Sequence, residues 1–251
     1  MPRQARKKSE SGIYHVMLRG INKQQIFIDR EDNVKFLQVL TDFKEISGYK
    51  ILAYCLMGNH IHLLIKIGME PIEQVFKRIC GRYVYWYNVK YQRVGHLFQD
   101  RFRSEPVEDE SYLFTVIRYI HQNPVKAGLC ESIEDYEFSS FNEYTLKPFL
   151  VDSDFVFQMI SREEFERYNK AGNTDKCLET EEEKKVRVTD EQAIMIIERY
   201  TGCKEASDFQ RLDLKTKDEY IVRLSSHGLS IRQISRLTGT NKNWVEKCLK
   251  F

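Results

Sequence analysis

The sequence lacks paired cysteines, long apolar runs and a marked excess of charge of one sign. Its six cysteines are scattered without a C-x-x-C pair, which predicts neither a zinc site nor a disulfide scaffold and fits a reducing cytoplasm. The basic start MPRQARKKSESG leads into no apolar signal core, and no run approaches the ~20 residues that cross a membrane. We therefore expect a cytoplasmic protein without membrane contact.

Charge is balanced overall but uneven along the chain. The 39 Lys and Arg residues against 37 Asp and Glu leave a net charge of +2. Residues 1–30 hold seven bases and two acids, and residues 75–104 hold seven bases and one acid, whereas residues 151–190 hold seven bases and eleven acids. The positive charge is thus concentrated in the first part of the chain.

The order of hydrophobic patterns predicts an α+β fold over residues 1–150. A strand-like run at 12–20 precedes an amphipathic helix at 29–49, and two further strand-like runs flank the turn-forming pair Gly58–Asn59. A helix at 72–91, a short strand and a helix at 109–122, closing before Asn123 and Pro124, follow. This succession predicts a ferredoxin-like antiparallel sheet with helices on one side.

The rest of the chain predicts an acidic linker and a small all-α domain. The linker covers 151–188, and 189–251 contains a helix-turn-helix pattern in which Ser230 and Gln233 have capping-box spacing and Gly239 supplies the turn. The outward residues of its last helix carry amide and amine donors suited to base edges and phosphates: Asn241, Lys242, Asn243, Lys247 and Lys250. A helical tail that only packs on the first domain, or that mediates dimers, is the alternative.

Two histidines stand out in the apolar run MGNHIHLLIK. In a strand, His60 and His62 project from the same face while Ile61 projects from the other. Two neutral imidazoles side by side can chelate a divalent metal. An isolated H-x-H in a strand is nevertheless more often a partly exposed pair without a ligand.

The helix at 109–122 places Tyr119 at the border of its apolar stripe, on the same edge as Tyr112 and Asn123. A border tyrosine is usually a packing residue. It would act as a nucleophile only beside a metal that polarises a phosphate, because its free pKa is near ~10.

Four ordered motifs resemble a known family. GIYHVMLRGINKQQIF, MGNHIHLLI, GHLFQDRFRSEPV and YLFTVIRYIHQNPVKAGL are similar to segments of the single-tyrosine HUH transposases, in particular the REP-associated tyrosine transposases. The resemblance covers about residues 10–145. It implies that His60 and His62 form the HUH metal pair, that Tyr119 is the catalytic tyrosine, and that Asn123 is a further metal ligand.

The resemblance also implies a reaction. Mg²⁺ or Mn²⁺ on the histidines would polarise a phosphate of single-stranded or hairpin DNA, and Tyr119 would attack it to form a 5′-phosphotyrosine link. Strand transfer would then reverse this attack, so no nucleotide cofactor is needed. The sequence leaves open whether the site is built within one chain or across a homodimer.

The segment 75–104 offers a DNA-binding surface, because basic residues alternate with aromatic ones. Basic groups follow a phosphate backbone while aromatic faces stack on bases, although several of these rings must belong to the core. The basic candidates are Lys77, Arg78, Arg82, Arg101 and Arg103. Arg3, Arg6, Lys7 and Lys8 form either a basic arm or a solubilising tail.

Two other functions are compatible with the same residues. One is a non-enzymatic DNA-binding regulator on this scaffold, in which Tyr119 only packs. The other is a metal-dependent phosphodiesterase that uses activated water and forms no tyrosine adduct.

Overall fold

The computed structural model describes residues 6–173, 175, 177–178 and 188–249. Its centre is a four-stranded antiparallel sheet in the order β2-β3-β1-β4. The strands are β1 (Ile13–Arg19), β2 (Lys50–Met57), β3 (His60–Lys66) and β4 (Arg103–Pro106). The predicted α+β architecture and its ferredoxin-like antiparallel sheet are confirmed.

Two long helices cover one face of this sheet. Helix α1 (Arg30–Ser47) joins β1 to β2, and helix α2 (Ile72–Lys90) joins β3 to β4. Each connects two parallel strands with one strand between them, and right-handed crossovers place both helices on the same side. The two helices pack against each other, which leaves the opposite face of the sheet for a third helix.

Helix α3 (Glu110–Lys126) packs on that opposite face, mainly against β2 and β3, so helices cover both faces of the sheet and not one side as the sequence predicted. It is longer than the sequence predicted, because it continues through Asn123 and Pro124. A residue before proline usually avoids helical geometry. Here Ile120 and Pro124 are buried against the domain and Ala127 donates to the carbonyl of Asn123, so packing overrides the local preference.

Most of the predicted linker that the structure describes is folded. After α4 (Phe141–Thr145) come α5 (Ser153–Phe157) and α6 (Arg162–Lys170), and α6 packs on α3. Although this segment is acidic, it packs through an aromatic contact: the ring of Phe165 is buried and stacks on Tyr144 with centroids 4.3 Å apart. Residues 151–170 therefore extend the first domain, and 179–187 lie outside the described residues.

The C-terminal part is all helical. It comprises α7 (Asp190–Thr201), α8 (Ala206–Gln210), α9 (Leu214–Ser226), α10 (Ile231–Thr238) and α11 (Lys242–Cys248). The capping box of Ser230 and Gln233 is present, and Gly239 has the left-handed φ of 68° that ends α10. The turn predicted between the last two helices is thus confirmed.

Gln25 joins this helical part to the first domain. Its carbonyl accepts from Nε2 of Gln192 on α7 at 2.8 Å, and its own Nε2 donates to the carbonyl of His227 at 3.0 Å. Arg199 of α7 also forms an ion pair with Asp29. Within the described ranges, no helix is long and apolar enough to cross a membrane.

The start of α1 rests on a buried cluster of charges. Asp29 caps the helix and Asp32 completes the capping box, and both carboxylates are almost inaccessible to solvent. The Nζ of Lys90 lies 2.9 Å from Asp29 and 2.7 Å from Asp32. Burial opposes the charge on Lys90, but hydrogen bonds to these acids leave its pKa raised. This lysine compensates the negative charge where α1 and α2 meet.

We predict that Lys90→Met lowers the free energy of unfolding by about 3–5 kcal/mol, because it removes the cation that the two buried carboxylates share and leaves only Asp29 with an ion pair, to Arg199. Lys77→Met, at an exposed site of the same helix, is the matched control and should change stability by less than about 0.5 kcal/mol. Urea unfolding of wild type and both variants measures the change in the free energy of unfolding. Equal stabilities would show that the cluster does not need Lys90.

Candidate active site

The two predicted histidines lie on the face of the sheet that α3 covers. His60 and His62 share this face of β3, and their rings are nearly perpendicular with centroids 5.1 Å apart. Tyr119 of α3 packs edge-on against His62, at a centroid distance of 5.5 Å. The structure therefore brings the H-x-H pair and the tyrosine together.

His60 is held by the hairpin turn that precedes it. Its Nδ1 lies 2.7 Å from Oδ1 of Asn59, which is an acceptor, so Nδ1 carries the proton and Nε2 keeps its lone pair. Burial, together with the nearby Arg19 guanidinium, lowers the pKa of His60 to about 4. The ring is neutral at pH 7, which is the form that coordinates metals.

His62 is fully buried and contacts a third histidine, His15 of β1. Its Nδ1 lies 3.0 Å from Nε2 of His15. Burial, and secondarily the two neighbouring imidazoles, hold the pKa of His62 well below its usual range. Sequence reasoning missed His15, although a lone histidine inside the apolar run GIYHVMLRG was a visible signal.

Asn123 lies one helical turn after Tyr119, because α3 remains helical through this residue. Its side chain is buried, and its Nδ2 has no hydrogen-bond partner. Oxygen and nitrogen of a carboxamide are assigned from their partners, so a flipped amide would aim an oxygen at the same place. A divalent cation would satisfy that oxygen.

These residues fit a divalent metal. No cluster of three His, Cys, Asp or Glu side chains is placed to hold one within the described part of the chain. A site here would therefore combine the imidazoles of His60 and His62 with the amide of Asn123, a mixed nitrogen and oxygen set.

Positive groups lie beside the tyrosine and on the histidine face. The Nζ of Lys126 lies 5.4 Å from the centroid of the Tyr119 ring. Arg19 stands opposite His60 in the sheet, and Arg103 stands opposite Met17, which is itself opposite His62. Residues opposite each other in a sheet share a face, so these arginines flank the histidine pair.

The basic residues predicted to bind DNA fall on separate surfaces. Lys77 and Arg82 are exposed on α2, which covers the other side of the sheet, and Arg78 is bound to Glu70 at 2.6 Å. Arg101 and Arg103 are exposed, and Arg103 shares the sheet face of the histidines. The rings of this segment divide as expected, since Phe76, Tyr83 and Tyr87 are buried while Tyr85 is 72% exposed.

The outward residues predicted for the last helix are exposed: Asn241, Lys242, Asn243 and Lys247. Two of them also serve α11 itself, since Asn241 accepts from the amide of Asn243 and Lys242 lies 3.1 Å from Glu246. Lys247 remains on the exposed side, whereas Lys250 lies outside the described residues.

Comparison with known proteins agrees with this geometry. Residues 8–123 match the sequence profile of a family described as "Transposase IS200 like". Over these residues the chain is similar to the IS200-like transposases. The match spans all four strands and ends at Asn123, so it includes the histidine pair and Tyr119.

Two relatives extend the comparison. A protein of Haemophilus influenzae named "Putative REP-associated tyrosine transposase" is 29% identical over 106 residues, which are 38% of this chain and 60% of that protein. The chain thus spans about 60% of this curated relative. A solved REP-associated tyrosine transposase bound to a REP hairpin matches with a TM-score of 0.51 and 18% identity, over 58% of this chain and 86% of that one. This similarity confirms the fold.

Proposed function

We propose that this protein is a metal-dependent DNA transposase that cleaves and rejoins single-stranded DNA through Tyr119. The observation that carries the proposal is the contact between Tyr119 and the H-x-H pair on one buried face of the sheet. The match of residues 8–123 to the profile of the IS200-like transposases supports it.

The residues of this chain have separate tasks in the reaction. His60, His62 and Asn123 would hold a divalent cation such as Mg²⁺ or Mn²⁺, which would supply charge that polarises the scissile phosphate. The phenolic oxygen of Tyr119 forms a bond to phosphorus and releases its proton to solvent. The bond from phosphorus to the 3′ oxygen breaks, and that oxygen takes up a proton. The products are a 5′-phosphotyrosine and a free 3′-hydroxyl.

Packing and charge prepare Tyr119 for this role. Helix α3 fixes its ring against His62, which reduces the motion needed for attack. Lys126, Arg19 and Arg103 place positive charge around a bound phosphate. A 3′-hydroxyl that attacks the phosphotyrosine reverses the step, so the energy of the phosphodiester bond is kept.

The DNA partner we propose is a hairpin or other single strand at the histidine face, with duplex DNA at the C-terminal helices. The solved structural neighbour was bound to a REP hairpin. In this chain, Arg103 is exposed on the histidine face and Arg101 is exposed two residues before it, while Lys77, Arg82 and Tyr85 offer a second surface on α2. Helices α10 and α11 would place Asn243 and Lys247 against a duplex, as in a helix-turn-helix.

We predict that wild-type protein forms an SDS-resistant adduct with labelled hairpin DNA and Mn²⁺ or Mg²⁺, and that Tyr119→Phe forms none. The phenylalanine keeps the packing but removes the attacking oxygen. Tyr112→Phe, on the same helix, is the matched control and should keep the adduct. Denaturing gel electrophoresis measures the yield of the adduct between the protein and the labelled DNA.

The remaining outcomes of this assay point to the other functions. Cleavage by Tyr119→Phe equal to that of wild type would contradict the proposal and favour a phosphodiesterase that activates water. Tight hairpin binding by the wild-type protein with neither cleavage nor adduct would instead favour a regulator.

For the C-terminal helices, we predict that Lys247→Ala weakens duplex binding. The slope of the logarithm of the binding constant against the logarithm of the salt concentration should fall in magnitude by about 1, because one phosphate contact is lost. The exposed Lys215 on α9 provides the control Lys215→Ala, which should bind like wild type. Fluorescence anisotropy across a range of salt concentrations measures both. The same loss in the two variants would rule out a specific contact by α11.

A further inference from the structure

His15 is a buried polar residue to which the proposed reaction gives no task. It lies on the central strand β1, with no exposed surface, opposite Leu64 on one side and Glu105 on the other. Its Nε2 lies 3.0 Å from Nδ1 of His62, and its ring lies 5.9 Å from that of Tyr119. Its own Nδ1 has no hydrogen-bond partner.

The contact between these two rings couples the position of the proton on His62 to the position of the proton on His15. Each neutral imidazole has one N–H donor and one bare nitrogen. His62 can offer a lone pair at Nε2 only when its proton is on Nδ1, and that proton then points at Nε2 of His15. His15 must therefore accept at Nε2 and carry its own proton on Nδ1.

We propose that His15 is a positioning residue that orients the ring of His62 and accepts its Nδ1 proton in the tautomer that leaves Nε2 free for a metal. This inference rests on the proposed function, since it assumes that His62 is a ligand. Histidines that bind metals regularly donate their second nitrogen to an acceptor, most often a carboxylate, a backbone carbonyl or water. Here another histidine takes that place.

Because Nδ1 of His15 has no hydrogen-bond partner, it can carry the proton or remain bare. The contact between His15 and His62 therefore has two arrangements. In one, His62 donates to His15 and its Nε2 is open to a metal. In the other, His15 donates to His62, and the proton of His62 blocks Nε2. Both arrangements keep both rings neutral, so a metal would select the first by coordination alone.

His60 needs no such partner, because Asn59 already fixes its tautomer. The two ligands are thus oriented by different parts of the fold. The hairpin turn holds His60, and the neighbouring strand β1 holds His62. An aliphatic residue at position 15 would leave the Nδ1–H of His62 buried without an acceptor.

The test is Mn²⁺ binding by the full-length protein, followed by the EPR signal of free Mn²⁺, for wild type, His15→Leu and His15→Gln. We expect His15→Leu to bind about 10- to 100-fold more weakly. Glutamine has an oxygen at about the distance of Nε2, so His15→Gln should recover most of the affinity. Long-range ¹H–¹⁵N NMR of wild type with the diamagnetic ion Mg²⁺ should show His62 with its proton on Nδ1.

Two controls separate a positioning role from general damage. His121 is equally buried but bonds Asn169 and Ser140 instead. His121→Gln should therefore lower the melting temperature without weakening Mn²⁺ binding. His60→Ala should weaken binding, because it removes a proposed ligand.

The results distinguish this inference from the proposed function. Wild-type affinity in His15→Leu, with binding weakened in His60→Ala, would overturn the role of His15 alone. Equal loss in the Leu and Gln variants would also overturn it, because an acceptor would then not suffice. Full affinity in His60→Ala, or no binding by wild type, would remove the proposed metal site and this inference with it.

Discussion

The structure depends on the packing of α3 across the face of the sheet that α1 and α2 leave open. That face carries His60 and His62, and a sheet with one uncovered face of this kind would expose apolar surface around them. Helix α3 closes the face with Val116, Ile117 and Ile120, all buried. The same packing places Tyr119 beside His62. Burial of the core and assembly of the candidate site are thus one event.

This arrangement buries several polar side chains, and most of their polar atoms have hydrogen-bond partners. The pKa of His15 is lowered to about 3 by burial, and those of His60 and His62 are also lowered, so the three rings are neutral. They bond to each other or to Asn59. Only Nδ1 of His15 and Nδ2 of Asn123 stay without partners in this group. Neutral imidazoles and an unsatisfied amide are what a cation site requires.

Much of the first domain could be predicted from the sequence, because its strands and helices have strong periodic patterns. The hairpin at Gly58–Asn59 and the buried face of α2 follow from them. The length of α3 could not be predicted, since the local rule for a residue before proline was outweighed by packing around Ile120 and Pro124. The helices of 151–170 were hidden by their charge, because a few aromatic contacts such as Phe165 on Tyr144 suffice to anchor them.

The candidate site could be predicted from the sequence only in part. Alternation in a strand placed His60 and His62 together, and helical spacing related Tyr119 to Asn123. The contact between strand and helix needed the fold, as did the role of His15, which pairs with a residue 47 positions away. The fold was also needed to divide the basic residues of segment 75–104 between two surfaces, because Lys77 and Arg103 belong to the same segment but lie on different surfaces.

The central claim is that Tyr119 becomes joined to DNA. Digestion of the reacted protein and mass spectrometry of its peptides would test this most directly, because the mass of a nucleotide remnant identifies the residue that carries it. We expect a phosphonucleotide on the peptide containing Tyr119. A remnant on another tyrosine, with the peptide of Tyr119 unmodified, would contradict it.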